Sequence, residues 1–195
     1  MPGAPLPDAA ELLRSLTRAF AARGLRWYVF GAQAVVAYGR PRLTADVDVA
    51  VDLAGAVSTD LASWLEPHDF DLRFPLEPSA RLLPLVHRPT AMPLDLVVTA
   101  PGLDEEFLER ALLLDLGGVE VPVISPEDLI AMKVLAGRRK DLEDVRGILL
   151  EQRSLDLDRT RDVIRAFELA TGARLLDRLG RLVRAANSAK SRRAR

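Results

Sequence analysis

The sequence predicts an α/β (α+β) fold, with a mixed β-sheet core, flanking helices and a helical C-terminal region. Three observations carry this expectation. ADVDVAVD (45–52) alternates acid or alanine with valine at the two-residue period of a strand. SPEDLIAMKVLAG (125–137) carries the start and stop signals of a helix. The order of elements runs helix, strand, helix, several strands and then helices almost without break, which suits helices packed on a sheet and followed by a bundle or cap.

The elements follow in chain order. Asp8 and Glu11 have the spacing of a capping box, so a helix is expected to about Arg23, where Gly24 stops it. RWYVFG (26–31) reads as a short buried strand, and a small-residue helix (32–38) starts directly from Gly31. The strand 45–52 is followed by a helix near 59–66 and by strand candidates at 69–74, 82–87 and 93–100. DEEFLERALLL begins as a helix, and GGVEVPVIS reads as a strand entered through a Gly-Gly turn. Ser125 is the expected N-cap of the next helix, with Pro126 in its first position, acids in its first turn and Gly137 at its end. From Arg139 onward the chain reads as helical, broken near 154–156 and at Gly172. The expected organisation is a core over 1–124, a helical region over 125–187 and a mobile basic tail over 188–195.

Composition limits the function classes. Of 195 residues, 49% are apolar, enough for a substantial core, and 27 basic residues against 28 acidic ones leave no global field to draw nucleic acid or membrane. No cysteine is present, which excludes disulfides and thiolate metal sites. No window is long and apolar enough for a membrane span and the first residues do not read as a leader, so a soluble, cytoplasmic protein is expected. His68 and His87 stand alone without a partner at ligand spacing and read as structural. Trp27, Tyr28 and Phe30 read as core, and Tyr38 as core or as a platform for a base.

The chemistry is expected on the face of the strand opposite its valines. Val47, Val49 and Val51 point to the core, so Asp46, Asp48 and Asp52 share the other face with Ala50. Aspartate is disfavoured in strands and like charges on one face repel. A cation removes that penalty, and an oxygen-only donor set suits Mg²⁺ or Mn²⁺. In PLDLVV, Asp95 is again an acid isolated in an apolar strand. If the two strands are neighbours, Asp46, Asp48 and Asp95 converge as two-metal phosphoryl chemistry requires. Gly31, at a strand end leading into a helix, leaves backbone N–H groups directed at an anion such as a triphosphate, with Arg42 and Thr44 as further donors.

These residues resemble the DNA polymerase β-type nucleotidyltransferase superfamily. Its G-[GS] helix turn followed by D-x-[DE] is matched by G-A-x(13)-D-x-D, with R-x-T before the first acid, over about residues 25–150. Minimal nucleotidyltransferases and the AbiEii-like toxin group are the subgroups most similar in pattern. The resemblance implies that Asp46, Asp48 and Asp95 hold two Mg²⁺, that Gly31 and Ala32 form the turn at the nucleotide, and that a hydroxyl attacks the α-phosphate of an NTP. Ala32 stands where the family has Gly or Ser, so the N–H is kept and a hydroxyl is missing.

Lys133 falls inside the apolar arc of its helix, and Asp141 points partly inward from the next. Either the two form a structural pair, or Lys133 contacts nucleotide phosphates while Asp141 or Asp144 orients it, as the toxin group implies.

The expected activity is Mg²⁺-dependent transfer of an NMP to a hydroxyl of RNA such as tRNA, of a protein, or of a small molecule such as an aminoglycoside. A toxin role would imply a cognate antitoxin. The alternatives are an inactive nucleotide- or partner-binding module, favoured by Ala32, and a subunit that needs a second chain. Arg174, Arg178, Arg181 and Arg184 could form a basic stripe for RNA phosphates, extended by the tail.

Overall fold

The structure is a computed structural model that describes residues 7–39, 44–53, 55, 57–77 and 79–193. The chain divides into two compact units, one of residues 4–34 and 42–124, the other of residues 1–3, 35–41 and 125–195.

The first unit is built on a sheet. Its strands are β1 (Trp27–Phe30), β2 (Val47–Val51), β3 (Phe70–Leu72), β4 (Leu82–His87), β5 (Met92–Val98), β6 (Leu112–Asp115) and β7 (Glu120–Val123), in the order β3-β4-β5-β2-β1-β7-β6. The pairs β2·β5 and β1·β7 are parallel and the rest antiparallel, so the sheet is mixed as expected. The helices are α1 (Pro7–Arg23), the first half of α2 (Gly31–Tyr38), α3 (Ser58–Leu65) and α4 (Leu103–Arg110).

Register explains why the strands hold together. Leu83, Leu96, Val49, Val29 and Val123 pair in turn across five strands and are all fully buried. Because successive side chains alternate between faces, the neighbouring row points the other way. That row runs Pro84, Asp95, Asp48, Phe30. Leu12, Leu13, Leu16 and Phe20 of α1 are also fully buried, and the Phe20 ring meets Trp27 edge-on at 5.5 Å. The His87 ring is buried, hydrogen-bonded to the hydroxyls of Thr90 and Ser15 on α1.

One local expectation needs correction, and one strand was not foreseen. Helix α1 starts at Pro7, so Asp8 lies inside the first turn, where its charge complements the helix dipole. DEEFLER is helical in α4 as expected, and Leu112–Asp115 after it forms an edge strand that was not foreseen. Gly117 and Gly118, both at positive φ, turn it into a hairpin with β7, and Leu113 is left exposed on the outside.

The second unit is helical: the last half of α2, α5 (Pro126–Ala136), α6 (Arg139–Glu151), α7 (Leu157–Thr171) and α8 (Leu175–Arg193). Its core includes Leu129, Ile130, Val134, Val145, Ile148, Val163, Ile164, Leu175 and Leu179. Ser125 caps α5 by accepting the Asp128 N–H, and Asp156 caps α7 by accepting those of Asp158 and Arg159. Helix α8 continues through 188–193, the stretch expected as a tail. Two of its basic residues bind inside the unit: Arg178 donates to the Val134 carbonyl at 2.6 Å, and Lys190 to that of Gln152 at 3.2 Å. Arg174 pairs with Asp177, so the anticipated basic stripe is interrupted. Among the described residues no helix is long and apolar enough to cross a membrane.

Candidate active site

The site forms where β1 hands over to α2. Gly31 makes this turn at φ +63°, a conformation that favours glycine. A side chain there is excluded twice over, because a Cβ would lie 2.6 Å from Asp48 Cγ and 2.8 Å from Asp48 Cβ. The absence of a side chain therefore lets the Asp48 carboxylate stand against the first residue of α2, near the positive end of the helix dipole. Ala32 follows as a buried helical residue.

Asp48 and Asp95 are direct register partners on the parallel strands β2 and β5, so their side chains leave the same face of the sheet side by side. Asp46 lies just before β2, two positions from Asp48, and its Oδ1 accepts a 2.6 Å hydrogen bond from Thr44 Oγ1. Thr44 thus orients a carboxylate. Arg42 lies outside the described residues. Asp52, grouped with the acids by sequence alternation, sits at the far end of β2, where it pairs with Arg26 at 2.6 Å.

One participant had not been anticipated. Arg73, just past β3, forms an ion pair with Asp95. Its backbone N–H donates to the Pro84 carbonyl at 2.8 Å, and Pro84 is the register partner of Asp95. Arg73, Pro84, Asp95 and Asp48 therefore form one line across the sheet. Sequence spacing carries no signal for this contact, which spans 22 residues and depends on three strands being laid side by side.

The second cluster belongs to the helical unit. Lys133 Nζ lies 2.8 Å from Asp144 Oδ2 and 3.4 Å from Asp141 Oδ1, and Arg138 Nε lies 2.6 Å from Asp141 Oδ2. Lys133, Asp141 and Asp144 are all buried. Burial pushes the Asp141 carboxyl up, but the hydrogen bonds and charges of Arg138 and Lys133 outweigh it and hold the group below its ordinary value. Lys133 therefore has a structural partner on each side. Tyr38 is buried too, not presented as a stacking surface, and burial followed by the charge of Glu127 pushes its phenol well above the ordinary range.

Residues 10–174 match the family described as "Nucleotidyltransferase of unknown function (DUF6036)". The chain belongs to this nucleotidyltransferase family. No curated protein matches it. Solved structures share the fold at low identity. One is an antigenic nucleotidyltransferase-like protein from Paracoccidioides brasiliensis, 17% identical, covering 94% of this chain and 95% of that one at a TM-score of 0.57. Another is ANT(2")-Ia in complex with adenylyl-2"-tobramycin, 18% identical, with coverage of 83% and 98% and a TM-score of 0.61. A third is the lincomycin-bound lincosamide antibiotic adenylyltransferase LnuA, 16% identical, with coverage of 75% and 98% and a TM-score of 0.50.

The donor chemistry of this nucleotidyltransferase fits a hard divalent cation. Asp46, Asp48 and Asp95 offer carboxylate oxygens alone, and two of them are adjacent on one face. As the side chains stand, no three His, Asp or Glu groups among the described residues are gathered closely enough to hold a metal ion. Asp95 is engaged by Arg73.

Proposed function

We propose that this nucleotidyltransferase moves an NMP from a nucleoside triphosphate to a hydroxyl acceptor, with Mg²⁺ or Mn²⁺ held by Asp46, Asp48 and Asp95. The observation that carries this reading is the pairing of Asp48 with Asp95 beside the glycine that starts α2. The cation supplies charge neutralisation for the triphosphate and for the departing pyrophosphate. The chain's own groups do the rest. The first N–H groups of α2, at Gly31 and Ala32, donate to phosphate oxygens. Thr44 fixes the rotamer of Asp46. Asp95 takes the proton from the acceptor hydroxyl as its oxygen bonds to the α-phosphorus and the bond to the β-phosphate oxygen breaks. Arg42 is assigned to the same phosphates, whereas Lys133, Asp141 and Asp144 shape the helical unit.

For the acceptor, we favour a small hydroxylated molecule. Tobramycin and lincomycin in two of the similar structures support that class. The internal bonds of Arg178 and Lys190 weaken the case for a basic surface that guides tRNA, and with it a toxin role countered by an antitoxin. Ala32 favours one second reading, a nucleotide-binding module without turnover.

Incubation of the protein and Mg²⁺ with each α-labelled NTP tests the proposal. The acceptors would be aminoglycosides and lincosamides, total tRNA, and a protein lysate. Label is expected in a small molecule, and not with the Asp48→Asn variant. Label in tRNA or protein alone overturns the acceptor class while leaving the transfer reaction. Nucleotide binding without label on any acceptor favours the inactive module.

A further inference from the structure

The ion pair on Asp95 has a role to assign. We propose that Arg73 is a positioning residue that competes with the divalent cation for Asp95, so that loading of the site displaces the guanidinium. The inference rests on the metal reading above and names what must move for that reading to operate.

Four observations support it. Arg73 binds Asp95 Oδ1, one of the oxygens a cation would need. Both side chains stay in contact with solvent, Arg73 30% and Asp95 32% exposed, so an ion can reach the pair and water can replace either partner. The Arg73 backbone is held by the Pro84 carbonyl, which keeps the guanidinium within reach of Asp95 after it lets go. The exposed Phe74 ring, whose centroid lies 6.0 Å from the guanidinium carbon, offers the released cation a second resting place.

Electrostatics supply the competition. A guanidinium and a divalent ion on one carboxylate repel each other at contact distance, so the two states exclude one another to the extent of that repulsion. Without a cation, Arg73 neutralises Asp95 next to its register partner Asp48. With one, that duty passes to the metal. Arg73 thus sets the cation affinity of the site, and Asp95 becomes available to an acceptor hydroxyl only after the exchange.

Titration of the full chain with Mn²⁺ alone, following the free ion by electron paramagnetic resonance, reads this directly. Arg73→Gln is expected to bind Mn²⁺ about fivefold tighter than wild type, the upper scale of a solvent-exposed ion pair, with Arg73→Lys in between. In an Asp95→Asn background, adding Arg73→Gln should leave Mn²⁺ affinity unchanged. Thermal melts give a second readout. In EDTA, Arg73→Gln should melt below wild type, and saturating Mn²⁺ should close the gap. Equal Mn²⁺ affinity with an unchanged melting gap overturns the inference and leaves an ordinary structural ion pair. If neither protein binds Mn²⁺ in a way that depends on Asp48, the metal reading fails and takes the inference with it.

Discussion

Two groups of acids in this chain have opposite characters. Asp141 and Asp144 in the helical unit are buried, with side-chain exposures of 1% and 7%, and are tied to Lys133 and Arg138 at hydrogen-bonding distance. Asp48 and Asp95 in the sheet unit stand side by side on half-buried strand positions, and Asp95 shares its one described counter-ion with the solvent. Buried charge persists only when it is matched within the fold, so the first group is a stitch between α5 and α6. Like charges brought together on neighbouring strands carry a cost that two apolar residues would not, and at Asp95 it is Arg73 that offsets it. The contrast separates acids matched deep within the helical unit from acids that stand together within reach of solvent, where the proposed chemistry would sit.

Substitution at the sheet group should break activity without breaking the fold. Asp48→Asn is expected to reduce NMP transfer by about a thousandfold, the scale of losing a group that organises transition-state charge. Its melting temperature should stay near that of the wild type. A variant that transfers at the normal rate would erase the distinction between the two groups. The helical group should respond the other way. Lys133→Ala leaves two buried carboxylates without their shared ammonium, and removing one partner of such a pair costs about 3 kcal/mol. Denaturant unfolding measures this, and nucleotide affinity per folded molecule should be unchanged. The sequence left two roles open for Lys133, a structural pair with Asp141 and a contact to nucleotide phosphates. The packing of α5 on α6 brings Asp144 to Lys133 beside the anticipated Asp141, which favours the structural pair.

Particular residues show where the sequence was readable. Period-two alternation placed Asp48 and Asp95 on strands, and the acid row around Asp48 with the isolation of Asp95 among apolar neighbours led to the expectation that they meet if the strands are neighbours. Their register pairing bears this out. The glycine turn and the caps of α5 were readable for the same reason, since each is decided within a few residues. Arg73 was not readable, because its partner is set by the order of β3, β4 and β5. Strand β6 was missed because ERALLLD has no alternation and good helix formers, and only the Gly-Gly hairpin overrides that local preference.

Acid sharpens the comparison further. The folded pKa of Asp141 lies below its ordinary value of 3.8, so its contribution to stability is present above that value and is lost as pH falls through the folded one. Unfolding below about pH 4 should be shallower in Asp141→Asn, if that variant is compared with itself at neutral pH. Gly31→Ala should cost about 1–3 kcal/mol from the positive φ, with a further penalty from contact with Asp48. The smallest effect is expected at His87. Burial lowers its pKa, partly offset by Glu11 and Asp69. The unfolded chain therefore takes up a proton first, and stability falls as pH drops below the ordinary value of 6.5. Stability curves at about pH 7 and pH 5.5, on either side of that value, should converge in His87→Gln.

The tight approach of Gly31 to Asp48 also sets the order in which these two positions can change. While the carboxylate is present, a methyl group at position 31 meets it head-on. Once position 48 is reduced to glycine, those nearest contacts disappear, while the backbone strain of the turn remains. The two sites therefore form a ratchet for drift. A lineage that abandons the carboxylate gains freedom at position 31, and any side chain it then acquires there bars the carboxylate from returning.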